Sequence, residues 1–389
     1  MTTFKTAESV CEGHPDKLCD YISDSVLDGC LAVDKYSRVA CEVMATRGHI
    51  IIAGEITCRG KVDIRNIAIQ ALFDRGYDPS EFNIEIYVHR QSKDIAEGVD
   101  TSLEARGGDK GYNGSLGAGD QGTVYGFATT ETDEKLPLPL VLAHRICEGI
   151  DDARKLDKIT GIKSDGKAQV TIEYENDIPK RVKSVVVSVR HDKDKSLFSL
   201  FYEIKHIVLL EVFRVFPLDR DTEILVNPSG KFIEGGPSAD TGLTGRKIMV
   251  DTYGGLASHG GGAFSGKDPT KVDRSGAYMA RHIAKNIVAS GLAEKCEVAV
   301  SYAIGKAEPV AVNVNTFGTS EFSDEYICQI IKRVFDMRPG EIIRYFGLRN
   351  RRYANTSIYG HFSCPLYPWE VLNKVGEISE IVANDLKEI

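Results

Sequence analysis

The chain has 389 residues, of which 42% are hydrophobic and 27% charged, and a formal net charge of −8. That length exceeds a single ordinary core, so two or three globular domains are expected. A uniformly acidic surface does not grip nucleic acid, so any anion site must be a local concentration of Lys and Arg.

The cysteines lie at positions 11, 19, 30, 41, 58, 147, 296, 328 and 364. None forms a C-x-x-C pair, which argues against structural zinc. Most sit in apolar runs and read as small buried hydrophobes in a reducing compartment. The start "MTTFKTAESV" has no apolar secretion core, and no stretch approaches 18 uninterrupted apolar residues. Neither secretion by a standard signal nor a membrane span is expected.

In chain order, "DYISDSVLDGCLAV" (20–33) has helical apolar spacing at Ile22, Val26, Leu27 and Leu31. "VACEVMATRGHIIIAGEIT" (39–57) reads as a hairpin turning at Arg47-Gly48, and "VDIRNIAIQALFDRGY" (62–77) as a second amphipathic helix. The order returns with a helix at 140–154, a hairpin at 168–192 turning at Asn176-Asp177, and a helix at 196–213. A third round has a helix at 277–291, a hairpin at 296–318, and a helix at 323–337 whose N-cap is Ser323. The hairpins open near Ala40, Ala168 and Cys296, at equal intervals of 128 residues. Three α+β units of similar build are expected. Between the first two lies "RGGDKGYNGSLGAGDQG" (106–122), too rich in glycine for a helix or a central strand. That composition suits a mobile active-site loop better than a bland linker.

Four polar, glycine-bearing segments stand out. "ESVCEGHPDKLCD" (8–20) places His14, Asp16 and Lys17 at a helix start, with Pro15 suited to the first helical position. "GAGDQG" (117–122) alone would be a turn. "NPSGKFIEGGPSADTGLTGRKIMVDTYGG" (227–255) carries Lys231, Asp240, Arg246 and Lys247, and "GGGAFSGKDPTKVDRS" (260–275) carries Lys267, Asp268, Lys271, Asp273 and Arg274. With His259 these basic residues supply the cationic density that a polyphosphate needs. Asp16, Asp240 and Asp273 could hold Mg²⁺, a hard ion that shares oxygen ligands with phosphates. From Gly261 the last segment nearly spells a phosphate-binding P-loop, but Asp268 stands where a Ser or Thr must bind Mg²⁺. No G-x-G-x-x-G follows a strand, so the P-loop and dinucleotide-fold readings both fail. The residues alone indicate a Mg²⁺-dependent nucleotide or polyphosphate enzyme. A phosphoryl-transfer enzyme (kinase or ATPase) and a non-catalytic nucleotide-binding scaffold remain the competing classes.

"GHPDK" (13–17), "GAGDQG", "GLTGRKIMVDTYGG" (242–255) and "GGGAFSGKDPTKVDRS" resemble, in this order, the signatures of the S-adenosylmethionine synthetases, or methionine adenosyltransferases. The likeness runs nearly to "YGHFSCPLYPWE". The resemblance implies three similar α+β domains about a pseudo-threefold axis, here 1–100, 118–234 and 235–389, with a mobile gate at 101–117. It implies a cytoplasmic homotetramer, a dimer of dimers with active sites at the dimer interface, and no nucleic-acid or membrane partner. Its reaction joins ATP and L-methionine: sulfur attacks C5′ and the triphosphate leaves, then is cut to pyrophosphate and phosphate. By resemblance His14, Lys167, Arg246, Lys247 and Lys267 are catalytic. ATP would contact these together with Asp165, Lys231, Phe232, Asp240 and Ala263. Glu55, Gln91, Asp240 and Lys271 would contact methionine. Asp16 and Asp273 would hold two Mg²⁺ in each site, and Glu42 a K⁺. The sequence departs from the family's pattern in Gly166 for Ala or Ser, Lys231 for Arg, Thr241 for Cys, and a longer segment after Gln91.

Overall fold

A computed structural model describes residues 1–91, 99–109, 111 and 115–387. Of the expected gate at 101–117, residues 110 and 112–114 lie outside the described residues, as do residues 92–98 before it. The strands are β1 (Thr2–Val10), β2 (Arg38–Thr46), β3 (His49–Thr57), β4 (Asn83–His89), β5 (Gly122–Thr129), β6 (Ile162–Glu175), β7 (Ile178–His191), β8 (Glu223–Val226), β9 (Gly242–Leu243), β10 (Lys295–Tyr302) and β11 (Ala311–Asn315). The helices are α1 (Pro15–Val33), α2 (Ile64–Asp74), α3 (Leu103–Arg106), α4 (Leu138–Lys155), α5 (Leu197–Glu203), α6 (Leu210–Val212), α7 (Ile248–Asp251), α8 (Val272–Ala289), α9 (Asp324–Val334), α10 (Pro339–Phe346) and α11 (Val375–Asp385).

The three hairpins form where the alternation predicts them. Asn176 and Asp177 both adopt left-handed backbone, as a two-residue hairpin turn requires. Ser323 caps α9 by accepting the Tyr326 N–H. The helix expected at 196–213 is interrupted by a π-helical stretch, Ile204–Leu209, between α5 and α6. The strands begin at Arg38, Ile162 and Lys295, so the 128-residue interval does not hold at their starts. β6 begins earlier because it runs through a register shift between Ile162 and Gly166, the first of three in its pairing with β7.

What the sequence pattern did not reveal is a cyclic exchange of strands. The sheets run β4-β3-β2-β9, β1-β6-β7-β8 and β11-β10-β5. Thus β1, preceding the first unit, pairs antiparallel with β6 of the second. β5, preceding the second, pairs with β10 of the third. β9, preceding the third hairpin, pairs with β2 of the first. The helices follow: α1 packs on β2 and β9, α4 on β6 and β1, and α8 on β10 and β5. Each sheet therefore contains chain from two units, and the mixed α+β architecture closes on itself with threefold regularity. One apolar core joins the first and third units, and a second lies under the β6–β7 sheet.

Close approach fixes α8 to its sheet: a Cβ on Gly126 would lie 1.9 Å from the Ala280 carbonyl oxygen. Beside it, the fully buried Arg281 donates to both carboxylate oxygens of Glu370 at 2.8 and 2.9 Å and to the carbonyls of Phe127, Glu134 and Lys135. Arg281 thereby ties α8, β5 and the C-terminal segment together. Arg281→Ala should cost about 3–5 kcal/mol, the scale of breaking a buried ion pair, even though Glu370 keeps Lys285 at 2.7 Å. Urea unfolding should show the drop; an unchanged midpoint would contradict this role.

Candidate functional site

The site begins where β1 runs out. Cys11 and Gly13 donate N–H bonds to the Gly166 and Ser164 carbonyls at 2.9 and 3.1 Å, holding the chain against β6 as it enters α1. His14 is the N-cap of α1, and its Nδ1 accepts the Asp16 N–H at 3.2 Å. An Nδ1 that accepts leaves the proton on Nε2. Burial pulls the His14 pKa down to about 3, with Lys247, Lys167 and Lys17 adding to the shift and Asp16 opposing it. A neutral imidazole with its proton on Nε2 is the result.

One face of α1 carries aspartates at 16, 20, 24 and 28, four residues apart. Each accepts backbone N–H groups from a loop. Asp16 takes Leu243 at 3.0 Å, Asp20 takes Gly245 at 2.8 Å, and Asp24 takes Gly266 at 2.9 Å. Asp28 takes Tyr353 and Ala354 at 2.6 and 3.0 Å. Burial pushes Asp28 up to about 6 despite those two donors. The spacing was visible in "DKLCDYISDSVLD" and went unread because Asp on a helix ordinarily faces water.

The edge of β2 holds the same loops from the other side. Val43 exchanges bonds with Thr244, donating to Oγ1 and accepting its N–H, both at 3.0 Å. The Cys41 N–H reaches the Gly266 carbonyl at 3.0 Å. Val39 donates to the Asp268 carboxylate at 2.8 Å and accepts the Asp268 N–H at 3.0 Å. Asp268, which spoils the P-loop pattern, is fully buried and also accepts from the Thr270 N–H and hydroxyl at 2.9 and 2.7 Å. The loop at Gly260–Lys267 is therefore stapled to a strand by Asp268, which is withdrawn from any metal.

Thus held, the loops present cations beside carboxylates. Lys247 bonds Asp16 at 2.6 Å, with Arg246 3.7 Å from the same carboxylate. Lys267 bonds Asp273 at 2.6 Å. The loops that carry the two pairs touch where Gly245 lies against Ala263: a Cβ there would be 2.4 Å from the Ala263 methyl. Glu42 occupies the face of β2 opposite the buried Cys41 and Val43, and its carboxyl is raised by desolvation, with Lys267 opposing.

Asp165 and Lys167 come from the start of β6. Asp165 accepts the Gly236 N–H at 2.7 Å, and burial raises its pKa, with Lys167 among the opposing charges and Asp240 adding to the rise. Phe232 is fixed by its N–H to His191 Nε2 at 3.2 Å and by its carbonyl, which accepts the His191 N–H at 2.9 Å. Lys231 and Asp240 are exposed beside it. Elsewhere Glu55, Gln91 and Lys271 meet in one cleft of about 420 Å³, with Arg38, His89, Arg90 and Gly119. Four parts of the chain build that cleft: β2–β3, the end of β4, the segment before β5, and the loop before α8.

Two residues that stood out in the sequence are structural. Lys17 is buried and bonds Asp20 at 3.0 Å and also Asp251. Arg274 is fully buried and forks onto Asp24 at 2.6 and 2.9 Å. A buried, paired cation cannot be told from a ligand-binding one by residue type. Among the described residues, no group of three or more His, Cys, Asp or Glu side chains converges as a metal cage. No helix among the described residues is long and apolar enough to cross a membrane.

The molecule is thus a three-unit α+β protein with a cationic, carboxylate-bearing site, and comparison with known proteins gives its family. The S-adenosylmethionine synthetase N-terminal, central and C-terminal domain models match residues 2–97, 115–232 and 234–371. An S-adenosylmethionine synthase of Clostridium botulinum is 47% identical over 391 residues, covering 98% of this chain and 100% of its own. Those of Finegoldia magna and a Nocardioides species are 50% and 49% identical, covering 92% and 94% of this chain and 93% and 95% of theirs. The chain belongs to the S-adenosylmethionine synthetase family.

Asp268→Ser would rebuild the P-loop pattern while stranding buried donors, at about 1–3 kcal/mol each. The urea midpoint should fall and no ADP-forming activity should appear. A stable variant that turns ATP into ADP would contradict the structural role of Asp268.

Proposed function

We propose that this chain forms S-adenosylmethionine from ATP and L-methionine, and that the residues assembled around α1 handle the triphosphate as a leaving group. Membership of the family supports this, as do relatives of near-full coverage that carry the synthase name. The observation that carries the mechanism is the withdrawal of Asp268. A P-loop kinase needs a metal-binding hydroxyl there, and this loop uses the position to fasten itself to β2. Family membership likewise tells against the kinase or ATPase reading.

The thioether sulfur is a weak nucleophile, so rate must come from alignment and from stabilising charge on the departing oxygens. His14, neutral and carrying its proton on Nε2, donates a hydrogen bond to the oxygen leaving C5′. Lys167, Arg246, Lys247 and Lys267 neutralise the triphosphate. Asp165, Lys231, Phe232, Asp240 and Ala263 hold the nucleotide, while Glu55, Gln91, Asp240 and Lys271 hold methionine. Asp16 and Asp273 each offer a single carboxylate already facing a lysine. That donor set suits a hard ion delivered on phosphate oxygens, rather than one held in an all-protein cage. Mg²⁺ bound there neutralises the triphosphate and orients it. Glu42, with its desolvated carboxyl, would hold K⁺.

The remaining assignments belong to the same reading. Residues 1–100, 118–234 and 235–389 act as three domains, and residues 101–117 as a gate. Pairs of chains share active sites within a dimer of dimers.

ATP carrying heavy oxygen at the 5′ bridge tests the bond that breaks. The label should appear in pyrophosphate and none in the nucleoside product. Lys267→Ala should lower turnover by about 10²-fold, the scale of losing one preorganised charge at a developing anion. Label kept on the nucleoside would overturn the mechanism.

A further inference from the structure

The cleft that holds Glu55, Gln91 and Lys271 also contains charged residues with no role in the reading above, Arg38 and Arg90. Arg38 and Glu55 lie on one face of the β2–β3 pair. Arg38 pairs with Thr57 and Ala40 with Glu55, so Arg38 and Glu55 are diagonal neighbours, roughly 7–8 Å apart at such positions. They are not bonded to each other. Glu55 meets His89 at 3.1 Å on the next strand. A cation and an anion so spaced match the two ends of an α-amino acid, carboxylate to Arg38 and ammonium to Glu55.

The charge balance beneath the cleft points the same way. The buried Asp268 faces two cations, Lys271 at 3.2 Å and Arg38 NH1 at 3.9 Å. Lys271 is close enough to bond. NH1 is not, and it is buried with no hydrogen-bond partner. One carboxylate beneath two cations leaves a positive charge at the cleft. Asp100 supplies an anion there: its carboxylate sits on Arg38 NH2. The Asp100 side chain is 55% exposed, so water can take over its bonds at little cost when it leaves. A guanidinium edge is also the group best shaped to grip a carboxylate.

We propose that Arg38 reads the α-carboxylate of the amino-acid substrate, and that Asp100 occupies this position as an internal stand-in until the substrate displaces it. The inference rests on the methionine reading of the cleft and adds the residue that selects for a free carboxylate. Glu55 then takes the ammonium, and the thioether is left to extend away from both.

The test uses the full chain as wild type, Arg38→Gln, Arg38→Lys and Asp100→Asn, with methionine and with methioninamide, which lacks the carboxylate charge. Wild type should favour methionine. Arg38→Gln should raise the KM for methionine about 10- to 100-fold, the scale of a lost charge-assisted bond, with the KM for ATP unchanged. Its preference over methioninamide should collapse, and Arg38→Lys should recover part of it. Asp100→Asn should lower the KM for methionine, because a competing anion is gone. Arg38→Gln losing both substrates in parallel, or Asp100→Asn raising the KM, would mean a structural latch and overturn the proposal. Equilibrium binding of the two compounds in the presence of an ATP analogue with CH₂ in place of the 5′ bridging oxygen, which offers sulfur no leaving group, separates this from the reaction itself. Lost discrimination in binding supports Arg38 even if wild type forms no S-adenosylmethionine, an outcome that would sink the proposed activity instead. Binding discrimination that survives Arg38→Gln overturns Arg38 alone.

Discussion

Four aspartates at four-residue spacing on α1 are the constraint on which the rest of the site depends. Backbone N–H groups in irregular loops must find acceptors when they are buried. Asp16, Asp20, Asp24 and Asp28 provide them to the chain at Leu243, Gly245, Gly266 and Tyr353-Ala354. The charges on Asp16, Asp20 and Asp24 are met in turn by Lys247, Lys17 and Arg274. Burying such groups is unfavourable unless each is paired, so the network holds one geometry or none. The edge of β2 then grips the same loops through Val39, Cys41 and Val43. Loops dense in glycine, flexible by composition, become rigid because helix and strand hold them from opposite sides.

This arrangement explains why reactive-looking residues divide into two sets. Lys17, Arg274 and Asp268 fix the backbone. His14, Lys247, Lys267 and Asp273 are positioned by that backbone. The cyclic strand exchange serves the same end. β9 adds to β2 from a distant part of the chain, which is how the 242–247 loop reaches the start of α1.

The helices and hairpins were legible because each buries one face, and apolar spacing records that. The exchanged strands were not. β1 reads "TTFKTAESV", largely polar, β5 emerges from a glycine-rich run, and β9 has two residues. Their partners lie far away in sequence, and no local pattern names them. At the site, "GHPDK" and the two glycine-rich loops announced themselves by residue type. Glu42, Glu55 and Gln91 did not, because a charged or amide residue on a strand looks like any solvated one; they entered only through family likeness. Arg38 was missed for the same reason, and only its pairing with Asp100 and its place in the cleft distinguish it. Lys17 and Arg274 stood out for their charge, and the structure assigns that charge to the interior.

The central claim is that α1 organises the loops before any substrate arrives. Amide hydrogen exchange of the ligand-free protein measures this directly at Leu243, Gly245, Gly266 and Tyr353, whose N–H groups the aspartates receive. The account predicts that these four exchange as slowly as the interior amides of α1 and change little when ATP and methionine are added. Rapid exchange in the free protein that slows only with substrates bound would contradict it, and would mean that the ligands build the site.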